Sequence, residues 1–315
     1  QRQCWEGLQA GVIAAGLFND PVITLCPDTV FEVPPASPIA IAVSRTTIKC
    51  GTTGSRKNGC TIIGGEEGAQ HFIIKESVTD VTLAGLTMVG AESARNDLSQ
   101  VSASIIAGGS SSSSATFIDC EWAGNIGSAV VMITAAEAGE DSGVRETERR
   151  ASARGLAVNE DIGLPTFRGR AMTVSFRYCL FSDNDVTFGV VTNLAGKANF
   201  FDTQFLGNRA IGTTILNFFD AFVSLQNSCF VDSERNVPQG TVFIEEGSSL
   251  GSNSDNFGVA DIVGQTAIAP EGGNTCSDIF MEGVCIDNPE PCAGFCDDFT
   301  ATSCRAAEAP LDPLT

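Results

Sequence analysis

The chain has 315 residues, with 18 Lys and Arg against 38 Asp and Glu, a net charge of −20 and a pI near 4.3. That balance speaks against nucleic acid as a partner, which needs a cationic face; divalent cations and basic or neutral glycans are compatible, and the acidity also serves solubility. Twelve Cys beside one His argue against mixed Cys/His zinc sites and for disulfides formed in an oxidising, secreted or cell-surface compartment.

No stretch is long and apolar enough to span a membrane as a helix. The chain begins at Gln1 and reads as a mature form whose leader has been removed. Residues 4–18 have helical spacing, with Trp5, Leu8, Val12, Ile13 and Leu17 on one face, and predict a helical cap over residues 1–20. Such a cap would cover the apolar strand edges that follow it. VITLCPDTVFEV and IAIAVSRTTIKCG read as strands, and Cys4 and Cys26 are a candidate pair across the cap. Cys50 and Cys60 enclose the polar, Gly-rich GTTGSRKNG and predict a disulfide that closes this loop. His71, in GAQHFII, has no acid–base partner nearby in sequence and reads as an ordinary side chain.

From here one pattern recurs. It is clearest in TVSFRYCLFSDN, KANFFDTQFLGN and FVSLQNSCFVDS, anchored on Phe181, Phe205 and Phe230, which lie 24 and 25 residues apart. Apolar residues stand seven and five positions before each anchor. A small residue (Cys179, Thr203 or Ser228) stands two before, and Asn184, Asn208 or Ser233 three after. The same ruler places Met88 in DVTLAGLTMVG and Trp122 in ATFIDCEWAGN, the latter with Cys120 and Asn125. A fixed period of this length with constant apolar positions predicts a solenoid.

The segments are short, β-branched or aromatic, and bounded by Gly, Asn, Asp and Ser. Positions −7 and −5 alternate inward; the three-residue step to −2 demands a bend. Gly85, Asp119, Asp202 and Asn227 at −3 suit a left-handed corner, and Tyr178 does not. A second apolar run follows each anchor, so one period holds about three strands and three corners, which is one coil of a parallel β-helix. Stacked coils would align the anchors as an aromatic column and Asn125, Asn184 and Asn208 as a structural ladder. Cys120 and Cys179 would meet in adjacent coils, either as a disulfide or as reduced buried thiols.

The gaps between anchors imply two insertions. ESARNDLSQ and GGSSSSS form the smaller one. The larger, 135–170, carries Arg145, Arg149, Arg150, Arg154, Arg168 and Arg170. It reads as a disordered loop, as an arm docking an acidic partner through Arg145, Arg149, Arg150 and Arg154, or as a processing site at Arg149–Arg150. SSLGSNSDNFGV resembles a last coil anchored on Phe257. The organisation expected is therefore a cap over 1–20, a β-helix over 21–262 and a Cys-rich segment over 263–315. That segment holds Cys276, Cys285, Cys292, Cys296 and Cys304, an odd number, so one pairs outside it. Asn-X-Ser/Thr is absent and Asn-X-Cys occurs beside Cys60, Cys229 and Cys276, which predicts little N-glycosylation.

LCPDTVFEV, TIKCG, CTIIGG and DVTLAGLTMVGA resemble the opening coils of the pectin-lyase-like superfamily over roughly residues 20–260. They are most similar to secreted, Cys-containing members from diatoms and related algae. The resemblance implies an all-β, right-handed parallel β-helix. It does not single out an activity, because that superfamily holds lyases, hydrolases, adhesins and scaffolds. The Gly-His-Gly segment of its polygalacturonase-like hydrolases is not matched. Its calcium-dependent lyases imply clustered Asp with an Arg or Lys base. Asp183, Asp185 and Asp232, near Arg209 and Arg235, are the candidate calcium ligands, while solvated acidic corners are the plainer reading. The expectation is a non-catalytic extracellular scaffold or adhesion module, of the kind that serves as a filament or cell-wall subunit, whose partners are protein subunits or glycans. A calcium-dependent polysaccharide lyase or hydrolase is the alternative.

Overall fold

The computed structural model describes residues 2–3, 5–35, 37–64, 70–76, 78–93, 104–109, 112–135, 172–194, 196–210, 213–218, 221–226 and 228–231, with the short strands 234–235, 242–244, 249–252, 262–264 and 279–281. They form a parallel β-helix of three sheets. Sheet B stacks Val22–Leu25, Thr47–Cys50, Val81–Ala84, Ser114–Ile118, Thr173–Arg177, Lys197–Phe201, Phe222–Gln226 and Ser249–Ser252. Sheet A stacks Arg2–Gln3, Val30–Glu32, Cys60–Ile63, Leu86–Val89, Glu121–Ala123, Leu180–Ser182, Gln204–Leu206 and Cys229–Val231. Sheet C runs from Ile39–Ile41 through Phe72–Ile74, Ile105–Gly109, Ile126–Ala135, Asp185–Leu194 and Thr213–Phe218 to Ile279–Met281.

The anchors pair as the period requires: Met88, Trp122, Phe181, Phe205 and Phe230 occupy one register column of sheet A. Trp122, Phe181 and Phe205 stack with centroids 4.6 and 4.9 Å apart and interplanar angles of 5°. A second column, Phe117, Phe176 and Phe200, stacks beside it at 5.2 and 4.8 Å, and edge-to-face contacts join the two. Coil spacing thus sets ring spacing, and each pair adds about 0.5–1.5 kcal/mol beyond its buried area.

The corner between sheets B and A is left-handed at Asp28, Gly85, Asp119, Tyr178 and Asp202. Its amides bond one coil onward: Gly85 to Ile118 O, Asp119 to Arg177 O, Tyr178 to Phe201 O and Asp202 to Gln226 O. Tyr178 keeps the conformation (φ 56°) despite its Cβ, and its N–H makes the same onward bond as the other corners. Gly85 admits no side chain, since a Cβ there would lie 2.5 Å from Gly54 O. The corner between sheets A and C is left-handed at Gly90, Gly124, Asp183 and Gly207. After it, Asn125 donates to Asn184 Oδ1 at 2.9 Å and Asn184 to Asn208 Oδ1 at 2.8 Å. Each Nδ2 also donates to a carbonyl of the preceding coil: Met88, Trp122 and Phe181 respectively.

The helix, Trp5–Ala15, packs on Val22–Leu25 and Ile39–Ile41. Its buried stripe is narrower than expected. Leu8 and Val12 are buried, but Ile13, within the helix, and Leu17, in the turn after Ala15, are exposed. Arg2–Gln3 precede the helix as a strand, and sheet C continues past residue 262 to Ile279–Met281. Phe257 lies outside the described residues. No helix among the described residues is long and apolar enough to cross a membrane.

Candidate functional site

The fold uses most of the residues with chemical potential. His71 is fully buried, with Nδ1 2.7 Å from Ser104 Oγ, and burial lowers its pKa to about 3. It stays neutral and cannot meet a substrate. Asp183 holds a corner at φ 52°, pressed against Gly207, where a Cβ would lie 2.7 Å from its Oδ1. Asp185 opens a sheet C strand in register with Arg209. Asp232 lies outside the described residues. Among the described residues no group of three or more His, Cys, Asp or Glu is placed to hold a metal ion.

The Cys50–Cys60 disulfide is present as expected. The loop it closes folds over the B–A corner, where Ser55 Oγ, Arg56 N and Arg56 Nε all donate to the Asp119 carboxylate at 2.8–3.0 Å. Cys120 and Cys179 are thiols and not a disulfide, donating to Leu83 O and Phe117 O. Burial pushes Cys120 up to about 12 and Cys179 well above the ordinary range, so neither forms a thiolate near neutrality. Cys26 is an exposed free thiol and does not make the expected cap pairing; Cys4 lies outside the described residues. So do Cys276, Cys285, Cys292, Cys296, Cys304, Arg145, Arg149, Arg150 and Arg154.

Among the described residues, the outer face of sheet B is open to a partner. Register places Thr47, Thr82, Thr116, Ser175, Asn199 and Ser224 in one outward row. All six are half-buried, and the row is about 24 Å long at the parallel strand spacing. Longer side chains bank it: Lys197 and Phe222 on one side, Ile118, Arg177, Phe201 and Gln226 on the other. Arg177 lies 4.8 Å over the Phe201 ring and Lys197 5.0 Å over the Phe222 ring. Each cation–π contact contributes about 0.5–1 kcal/mol and holds its cation flat against the face.

The described outward positions of this sheet, from Val22 to Gln226, include Lys49, Arg177 and Lys197 and no Asp or Glu. Carboxylates stand at its borders. Asp80 is bonded to Ser114, Asp119 to Arg56, and Asp202 holds a corner. Net charge therefore misdescribes this face.

No family model matches the chain, and no curated protein does. Among solved structures it is similar to two variants of a pectate lyase from Xanthomonas campestris. The TM-scores are 0.37 and 0.36, the identities 12% and 13%, and the matches cover 92% of this chain and 82% of each lyase chain.

Sequence reasoning missed this face, although its signal was present. The outward positions between the aligned apolar ones are Thr, Ser or Asn in every coil from Thr47 to Ser224. It also missed a second ladder, in which Asn193 donates to Asn217 Oδ1 at 2.7 Å, 24 residues on.

Proposed function

We propose that this chain is a non-catalytic extracellular scaffold or adhesion module, and that the outer face of sheet B binds an extended glycan bearing acidic groups. The observation that carries this reading is a hydroxyl- and amide-lined row, banked by Arg177 and Lys197, on a protein that is otherwise strongly acidic. The row's donors and acceptors repeat at the coil spacing, which suits a polymer with repeating hydroxyls. The cations suit its carboxylates or sulfates. The aromatic stacks, the Asn ladder and the clamped loop supply a rigid support, so little ordering entropy opposes binding. The Cys50–Cys60 disulfide fits an extracellular setting.

The test is retention of the chain on immobilised polygalacturonate and on a neutral glucan, with the size of the soluble polymer followed in calcium. Retention on the acidic polymer without shortening is the expected result. Shortening of the polymer would replace the scaffold reading with that of a calcium-dependent lyase or hydrolase. Equal retention on both polymers would remove the role given to Arg177 and Lys197.

A further inference from the structure

The N-terminal end of the β-helix differs from the rest of the surface. Among the described residues, the large apolar side chains that are exposed all fall between Ile13 and Val22. Ile13 is 77% exposed, Leu17 84%, Phe18 66% and Val22 58%. The helix turns Leu8 and Val12 into the interior and leaves Ile13 outward; Leu17 and Phe18 follow Ala15, and Val22 opens sheet B. Val22–Leu25 is also the terminal strand of that sheet. Thr47 N–H donates to Pro21 O and Gly51 N–H to Leu25 O, both at 2.8 Å, so Pro21, Ile23 and Leu25 face Thr47–Cys50. Alternate residues of a strand bond to alternate sides, so Val22 and Thr24 aim their N–H and C=O groups at the other edge. Both residues are exposed, and among the described residues no strand pairs there.

We propose that this end joins a second copy of the chain, head to head, through the Val22–Leu25 edge flanked by Ile13, Leu17 and Phe18. An open strand edge takes another strand. Two copies related by a two-fold axis present theirs antiparallel, so the surface is complementary to itself. Charge selects the same occupant. The chain carries −20, yet from Trp5 to Asn19 the single charged residue is Glu6, and Asp20 is paired with Arg45. Two copies therefore repel over most of their surface and least at this end. A membrane-surface helix carries Lys and Arg on its polar face, and Trp5–Ala15 has neither. At about 150–250 Å² for a large side chain, the exposed four present on the order of 500 Å² per copy. Two copies would then bury about 1,000 Å², the floor for a specific interface. The junction would run one sheet B into the other, whatever that face binds.

The test is sedimentation of the full chain over a concentration series at low and high salt. The native chain is expected to dimerise by about 100 µM, and the dimer to tighten between about 0.05 and 0.5 M NaCl as repulsion is screened. Leu17→Ser with Phe18→Ser adds no charge and should raise the dimer dissociation constant by about 10-fold or more with the β signal retained. In the native chain, hydrogen exchange at the Val22 and Thr24 amides should slow by about 10-fold or more as the dimer forms. A chain that stays monomeric throughout overturns the proposal, as does a dimer that the Ser pair leaves intact or one in which those amides exchange unchanged. A monomer that adsorbs to phosphatidylcholine vesicles through these residues would overturn it in favour of a membrane. Should the Ser pair not fold, sedimentation and amide exchange of the native chain decide by the same criteria.

Discussion

The outer faces of sheets B and C are built on one interior and one coil spacing, yet they carry opposite chemistry. On sheet B the outward row is Thr, Ser and Asn, half-open and bordered by Arg177 and Lys197. On sheet C it is Ile73, Ile106, Met132, Thr192 and Leu216, apolar but for Thr192 and closed to water at the last three positions. A solenoid permits this divergence because the inward positions alone set stacking, while each outward column is free to follow another demand. The open face is the one to examine for binding, and the closed face is part of the structure.

Changes to the shared interior should affect both faces most. Phe181→Ala removes the middle ring of the Trp122–Phe181–Phe205 column and should cost about 3–5 kcal/mol in chemical denaturation, with both faces failing together. Next comes the direct contrast. Leu216→Glu should cost about 3 kcal/mol or more, and Ser175→Glu within about 0.5 kcal/mol, because only the first buries a charge. Equal costs would erase the distinction between the faces.

His71 gives a pH signature that belongs to neither face. Its folded pKa, about 3, lies below the unfolded value of 6.5, so the unfolded chain binds the extra proton. Its contribution is complete above pH 6.5 and declines as pH falls toward 3, by about 1.4 kcal/mol per unit. Between pH 7 and 4.5 the native chain should therefore lose about 2–3 kcal/mol more stability than His71→Leu. Asn184→Ala should cost about 1–3 kcal/mol, since it strands the amide of Asn125 within the buried ladder. Trp122→Phe should have a small effect, about 1 kcal/mol or less. The indole Nε1 has no hydrogen-bond partner among the described residues, and relieving it offsets the lost volume.

The coil was legible because stacking repeats its demands on the chain. The anchors, the Cys120–Cys179 position, the Asn ladder and the Asp119 and Asp202 corners each recur at a fixed offset within the coil. Tyr178 was misleading because it keeps the corner conformation and makes the same onward bond despite its side-chain preference. The helix stripe was overdrawn: Ile13 lies within the helix yet faces water, and Leu17 falls past its end at Ala15. The sheet B row was less legible: Thr and Ser between apolar residues read as ordinary strand alternation until register aligns them. Burial of Met132 and Leu216 was not legible at all, because nothing local tells an outward apolar residue from an inward one.

The most direct test of the sheet B assignment compares two variants of equal net charge on immobilised polygalacturonate. Arg177→Glu with Lys197→Glu reverses the cations of the open face. Lys75→Glu with Arg209→Glu makes the same charge change on sheet C, both residues being exposed. The assignment predicts a loss of binding of about 10-fold or more for the first pair and retention near the native level for the second. Equal losses, or none for Arg177 and Lys197, would contradict it.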